Sequence, residues 1–496
     1  MAPASPAKTQ TPPERHRNLK NRADLHALFY PKNIAVIGVS HNPVSGIKYV
    51  KAHEISGFPG GVYPINPKYR EIDGRKIYPA LEAEGVPDID MAIIAVPAAN
   101  VPAVIRDCHK KGVKFAIIFS SGFAESGRED LDRELRQAIA EGPTRVVGPN
   151  GLGVYNQESR VNFLFKRKFE LPGNISFIGQ SGGTTARLLM SLDSIGIGMH
   201  NVVSAGNMMD VSMADFLRYF KDESKTKVIV LYMECVGNGR DFLAALRETT
   251  RVKPVIIWKS GQSDVGATAA RSHTGGLAGS YQIWVSALRQ HGAIIADNFE
   301  EMRDFAAALA VNQALPRGNR VGIVVSGGGV GVEIADVVRN HTLDVPELTP
   351  ETQQKLAEFI PNINTSFRNP VDLGEYGYVP HYYGRALKII TEDPNVDVVL
   401  TVREPERSPW FEESMNIKNI DNLNILALQI AIKVGKPIYM NLSPNSDLPE
   451  HHSLRYAFRK RLLQEIGVPT IDYTPHTAKL LQQLVKYKKY LLQELQ

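Results

Sequence analysis

One of the chain's 13 histidines stands where an imidazole can act as a nucleophile. His273 lies among small residues, RSHTGGLAGS at 271–280, downstream of Gly261 and of the apolar run VIIW at 255–258. A segment with so little side-chain bulk has wide backbone freedom. A neutral imidazole attacks phosphorus without first losing a proton. Taken alone, the pattern fits an exposed histidine in a Gly-rich turn equally well. Glu234 follows a second apolar run, VIVLY at 228–232. A carboxylate bonded to one imidazole nitrogen fixes the tautomer and supports positive charge on the ring. A surface acid is the other reading of Glu234. Upstream, GQSGGTT at 179–185 ends a strand-like run and opens a helix. The free N–H groups of such a helix start hold phosphate, and Ser181, Gly182 and Gly183 let it approach the backbone. A capped helix start with Ser181 as the cap explains the same residues.

A further set of residues lies near the N-terminus. Gly38-Val39-Ser40 follows a strand-like run, as at a nucleotide site on a helix start. The dinucleotide fingerprint GxGxxG is absent, and the second run ends in Asn66 where a ribose-binding acid is expected. Lys68 follows, which suits a phosphorylated nucleotide better than NAD, although a solvated loop lysine is the ordinary alternative. Val96-Pro97-Ala98 closes a third run at the same predicted sheet edge.

Repeated α/β units are the elements expected to position these residues. Apolar runs at 34–38, 61–66, 91–96, 115–119 and 145–148 alternate with helix-length segments, which predicts a parallel sheet wound by helices. Similar runs recur at 175–178, 198–204, 228–232 and 254–258, and again at 321–325, 396–401 and 437–441. The second and third series open alike, with an apolar strand, then Ser and glycines, then a helix. The expected organisation is a tail over 1–21, a Rossmann-type domain over 22–153, and two flavodoxin-like domains over 170–314 and 318–496.

The composition is that of a soluble globular protein, with 43% hydrophobic and 22% charged residues. A net charge of +5 is mild over 496 residues, and no interleaved basic and aromatic stripe points to nucleic acid. No apolar run approaches the ~18 residues of a membrane span. The N-terminal stretch has no hydrophobic block, so it does not read as a secretory signal. Its prolines and Glu14 also argue against a transit peptide, despite Arg15, Arg17, Lys20 and Arg22. Cys108 and Cys235 form no CxxC and are expected to be buried, reduced thiols of a cytoplasmic protein.

Taken together, the motifs resemble the NDP-forming acyl-CoA synthetase superfamily, which includes succinyl-CoA synthetase and ADP-forming acetyl-CoA synthetase. The matching stretches are IAVIGVS (34–40), VYPINPK (62–68), GPN (148–150), GQSGG (179–183), SAGN (204–207), YME (232–234), SHTGGLAG (272–279) and NPVD (369–372). They stand in family order and cover the chain from about residue 22 onward.

The resemblance implies that the first domain binds CoA through Gly38, Ser40, His41, Asn42, Pro43, Lys68, Val96, Pro97 and Ala98. It implies that His273 is phosphorylated, that Glu234 is its partner carboxylate, and that Ser181, Gly182 and Gly183 cradle the phosphate. The third domain matches the extra C-terminal unit of ADP-forming acetyl-CoA synthetase α parts. The implied activity is that of an α subunit, forming acyl-CoA from a carboxylic acid, CoA and ATP through an acyl phosphate. No ATP-grasp domain is recognisable, so ATP/ADP with Mg²⁺ is expected mainly on a separate ATP-grasp β subunit in a hetero-oligomer. Gly151 stands where the family often has Cys. An ATP-independent acyl or carbamoyl transferase and a non-catalytic CoA-sensing subunit use the same scaffold and remain open. Tyr376, Tyr378, Tyr382, Tyr383, Arg403, Arg407 and Trp410 would suit a pocket for a bulky acid, or simply core and surface packing.

Overall fold

Strands joined by helix-length crossovers cannot form hairpins, so they line up parallel and bury both faces. The computed structural model describes residues 23–164, 167–266, 268, 280–311, 314–444 and 446–494. Three large sheets are present among the described residues, and each carries helices on its faces.

The first sheet contains β1 (Asn33–Ile37), β2 (Gly61–Ile65), β3 (Met91–Ile94), β4 (Phe115–Ile118) and β5 (Arg145–Val147), with helix α1 (Ile47–Ser56) after β1. Its order is β2-β1-β3-β4-β5, and every pair is parallel. The second sheet contains β6 (Gly153–Asn156), β7 (Gly173–Gly179), β8 (Gly198–Ser204), β9 (Val228–Met233), β10 (Val255–Lys259) and β11 (Ile294–Ala296). Helix α2 (Gly182–Ser194) follows β7. The order is β11-β10-β9-β7-β8-β6, with only β6 antiparallel to its neighbour. The third sheet is β13-β12-β14-β15-β16, all parallel. Its strands are β12 (Val321–Val325), β13 (Val371–Asp372), β14 (Val398–Arg403), β15 (Ile438–Leu442) and β16 (Thr470–Ile471), with α3 (Gly328–Asn340) after β12.

Leaving β6 aside, each sheet has its strands in the order 2-1-3-4-5. The chain winds outward from its first strand in one direction, then returns to wind in the other. A crevice opens at the carboxyl ends of the first and third strands, where the two directions part. The apolar interior supports this geometry. Ile178, Leu231 and Ile257 are fully buried on adjacent strands, and each such side chain contributes about 1.5–3 kcal/mol.

The units are tied to one another. Arg145 Nε donates to Asp210 at 2.9 Å across the first and second. The C-terminal helix α4 (Thr474–Glu494) runs back from the third unit onto the second. There Gln483 exchanges hydrogen bonds with both backbone groups of Ile295, and Tyr487 donates to the Thr250 carbonyl at 2.7 Å.

Candidate functional site

The second unit's crevice lies between the ends of β7 and β9, and two candidate groups meet there. Ser181 caps α2 by accepting the Thr184 N–H at 3.3 Å. A Cβ at Gly183 would come no closer than 4.0 Å to its nearest neighbour, the Ser181 hydroxyl, so the helix start is open to an incoming anion. Glu234 follows β9 directly and is only 3% exposed. Gln180 joins the two. Its Oε1 accepts the backbone N–H of Glu234 at 2.5 Å and of Cys235 at 2.9 Å, while its Nε2 reaches Cys235 Sγ at 3.4 Å. The sequence displays Gln180 only as part of a motif. Its role as a staple becomes visible once β7 and β9 are neighbours.

Two more groups complete this edge. Tyr232 is pushed up to about 12 by burial, with the charge and hydrogen bond of Glu234 adding to it. Lys259, at the end of β10, is 1% exposed. Burial lowers its pKa, opposed by the acidic groups of Cys235 and Glu234. His273 lies outside the described residues. The chain leaves this edge through Ser260, is described as far as Gly266 and again at Thr268, and resumes at Ser280.

The first unit gathers its own candidates at the equivalent crevice. Gly38 to Pro43 follow β1, Lys68 follows β2, and Val96, Pro97 and Ala98 follow β3, so adjacent strand ends present them together. Gly38 has φ +93°, and a Cβ there would lie 2.3 Å from the Ala95 carbonyl oxygen, which ties this turn to glycine. Ser40 anchors the loop: its hydroxyl accepts the Asn42 N–H, and its own N–H donates to Ser45. Asn66 donates to the Val39 carbonyl at 2.6 Å and accepts the Lys68 N–H at 2.9 Å. Asn66 therefore braces the two strand ends, which explains an amide where a dinucleotide fold has an acid. His41, Asn42, Pro43, Lys68 and Pro97 are exposed, while Ser40, Val96 and Ala98 are half-buried.

The two units meet in a tight contact. Asn207 N–H donates to the Pro149 carbonyl at 2.9 Å, and Asn207 Nδ2 donates to Glu125 at 2.7 Å. Glu125 also accepts the N–H groups of Gly122 and Phe123. A cavity of about 370 Å³ lies along this seam, lined in part by Ala124, Asn207, Met208, Cys235 and Asn238. Cys108 is buried as expected, whereas Cys235 is half-buried and borders this cavity.

Comparison with known proteins places the chain. Residues 32–157 match a CoA binding domain, and residues 172–309 match a succinyl-CoA ligase like flavodoxin domain. The chain is 36% identical to the acetate–CoA ligase [ADP-forming] II subunit alpha of Pyrococcus furiosus, over 94% of this chain and 98% of that one. The chain belongs to the ADP-forming acyl-CoA synthetase family. It is also 40% identical to acetate–CoA ligase [ADP-forming] I of Archaeoglobus fulgidus, over 77% of this chain but only 55% of that protein's length. A structure of acetyl-coenzyme A synthetase 1 from Ca. Korarchaeum cryptofilum, in complex with phosphate and ADP, superposes with a TM-score of 0.81 at 31% identity. That match covers 95% of this chain and 99% of the other.

The glycine at 151 has a steric basis. A Cβ at residue 151 would lie 2.6 Å from the Ser204 carbonyl oxygen. A cysteine there would force the GPN and SAGN segments apart. The third unit repeats the crevice. A cavity of about 280 Å³ lies between the ends of β12 and β14, lined by Ser326, Gly327, Tyr378, Arg403, Glu404 and Arg407 among others. Arg403 is buried and donates to the Gly377 carbonyl at 2.6 Å. Tyr378 donates to Glu404 at 2.5 Å and is pushed up to about 12 by burial, with Glu404 adding to it. Tyr383 packs behind Arg403, Tyr376 and Tyr382 pair with each other, and Trp410 is exposed. A larger cavity of about 540 Å³ is an apolar groove elsewhere on this unit, lined by Leu423, Leu426 and Ile430 among others. Among the described residues its lining includes no carboxylate and no strand residue, so size does not locate the chemistry here.

Proposed function

We propose that this chain is the α subunit of an ADP-forming acyl-CoA synthetase, converting a carboxylic acid, CoA and ATP to acyl-CoA, ADP and phosphate. The observation that carries the reading is the Gln180 staple, which holds a buried Glu234 beside the open start of α2. A carboxylate and an anion cradle side by side are what a phosphohistidine needs: one group orients the imidazole, the other receives the phosphoryl oxygens. In this reading His273 takes the phosphoryl group from ATP and passes it to the acid. The CoA thiol then displaces phosphate from the acyl phosphate, and Glu234 holds the ring throughout.

CoA is assigned to the crevice of the first unit. Its loops after β1, β2 and β3 offer hydroxyl, amide, imidazole and ammonium groups from Ser40, Asn42, His41 and Lys68, which suits a polyphosphate. The acid is assigned to the third unit's cavity, where Arg403 and Arg407 supply cations beside Tyr378. ATP with Mg²⁺ is assigned mainly to an ATP-grasp partner, in a hetero-oligomer of the cytoplasm.

The test uses the chain assembled with such a partner and ATP labelled at the γ-phosphate. Acid-labile, base-stable label on His273 is expected, and His273→Asn should abolish label and turnover together. Label retained in that variant would refute the reading. Full acyl transfer with no nucleotide present would favour the transferase instead.

A further inference from the structure

The first unit's crevice, as described so far, leaves the base of CoA without a seat. Ser40, Asn42 and Lys68 carry groups that suit phosphate and hydroxyl oxygens. A purine instead takes its affinity from a flat π-face on which it can stack. The loops that follow β1, β2 and β3 span 38–46, 66–70 and 95–100, and they carry two rings between them, His41 and Tyr69.

These two rings meet. Their centroids lie 5.3 Å apart and their planes cross at 86°, an edge-to-face pair. The strand register explains the meeting. β1 and β2 run parallel and end together, Ile37 opposite Ile65, so the turns beyond them stand side by side. Both turns are braced. On the first, Asn42 Oδ1 accepts the Val44 N–H at 3.1 Å. On the second, Asn66 Oδ1 accepts the Lys68 N–H, and the Asn66 amide crosses to the Val39 carbonyl. Tyr69 is half-buried and packs in part on the apolar core, which fixes its ring, while His41 is exposed. Two fixed rings at a right angle make a corner, where a planar group lies flat on one ring with its edge toward the other. In nucleotide-binding α/β folds the end of the second strand addresses the ribose. Tyr69 lies just beyond that point, with the Lys68 ammonium next to it in sequence for a phosphate of the nucleotide.

We propose that Tyr69 is the platform on which the adenine of CoA stacks, with His41 closing the corner at the edge of the base. This seat rests on the CoA assignment above and adds the base to it.

Calorimetry on the full chain tests it, with CoA and with 4′-phosphopantetheine, which keeps the thiol arm and lacks the adenosine part. The wild-type chain should bind CoA more tightly than 4′-phosphopantetheine. In Tyr69→Ala the ratio of the two affinities should fall by about 5- to 150-fold, the scale of one lost base–aromatic stack. Tyr69→Phe keeps the ring and should hold the ratio near that of wild type. A ratio unchanged in Tyr69→Ala, whether both ligands bind normally or both weaken equally, would overturn the seat. So would a Tyr69→Phe as weak toward CoA as Tyr69→Ala, since the hydroxyl and not the ring would then be at work. A wild-type chain that binds neither ligand would refute the CoA assignment itself and the seat with it.

Discussion

Replacing Gln180 with leucine removes the staple while keeping nearly the same side-chain volume. Gln180 is 2% exposed, and its Oε1 accepts two backbone N–H groups, those of Glu234 and Cys235. Leucine leaves both donors buried without an acceptor. An unsatisfied buried donor costs about 1–3 kcal/mol, so the pair amounts to about 2–6 kcal/mol. Partial rescue by water through the adjoining cavity favours the lower half of that range, and about 2–4 kcal/mol corresponds to a fall in Tm of about 5–15 °C. Calorimetry measures the loss, and hydrogen exchange localises it. The amides of Glu234 and Cys235 should exchange faster, while those in the middle of β9 should change little. Phosphorylation of His273 should fall as well, because Glu234 is no longer held beside α2. Gln180→Glu keeps an acceptor but buries a charge, which raises that carboxyl's pKa in the folded state. Its instability should therefore grow as pH rises and recede as the carboxyl protonates. A Tm within about 1 °C of wild type for Gln180→Leu, with unchanged exchange, would refute the reasoning.

Other outcomes are expected on the same grounds. Lys68→Ala should weaken CoA binding by about 1–3 kcal/mol through a lost charge-assisted contact, and calorimetry showing tighter NAD than CoA binding would defeat the CoA assignment. Gly206→Ala should disrupt the seam between the first two units, since φ is +57° and a Cβ would lie 2.1 Å from the Pro149 carbonyl oxygen; an unchanged melting profile would count against this. Glu223 is held at about 2, against the effect of burial, by His200 and Thr226. Its folded pKa is depressed, so it contributes stability above its ordinary value of 4.5 that is lost as pH falls toward 2, and Glu223→Gln should flatten unfolding curves across that window. The purified chain alone should show no steady acyl-CoA synthesis from ATP, and robust turnover without a partner would reveal an ATP site in this chain.

Much of the architecture was legible because its signals are local. An apolar run followed by a helix-length segment specifies a buried strand and a crossover. The runs at 34–38, 228–232 and 321–325 accordingly correspond to β1, β9 and β12. The cap at Ser181 was legible for the same reason, because it depends on residues within one helical turn. Gln180 and Lys259 gave no such signal. A glutamine after a strand and a lysine at a strand end are unremarkable until their neighbours are known.

The sequence by itself determined which residues could carry chemistry: His273, Glu234, the small residues at 181–183 and the loop from Gly38 to Pro43. It also determined that each candidate lies at or just beyond the end of an apolar run, or on a segment that follows one. Strand order was left to the tertiary structure, because it depends on how helices and sheet faces pack over distances that no local pattern encodes. The order 2-1-3-4-5 sets β7 against β9, with β10 along the other edge of β9, and so brings Gln180 and Glu234 to one crevice and Lys259 to the neighbouring strand end. It likewise places Arg403 beside the glycine turn of the third unit and against the rings of Tyr378 and Tyr383, with Trp410 outside that cavity. Burial then decides what those groups do, since a carboxylate or an ammonium buried in a low-dielectric interior loses the water that would screen it on the surface.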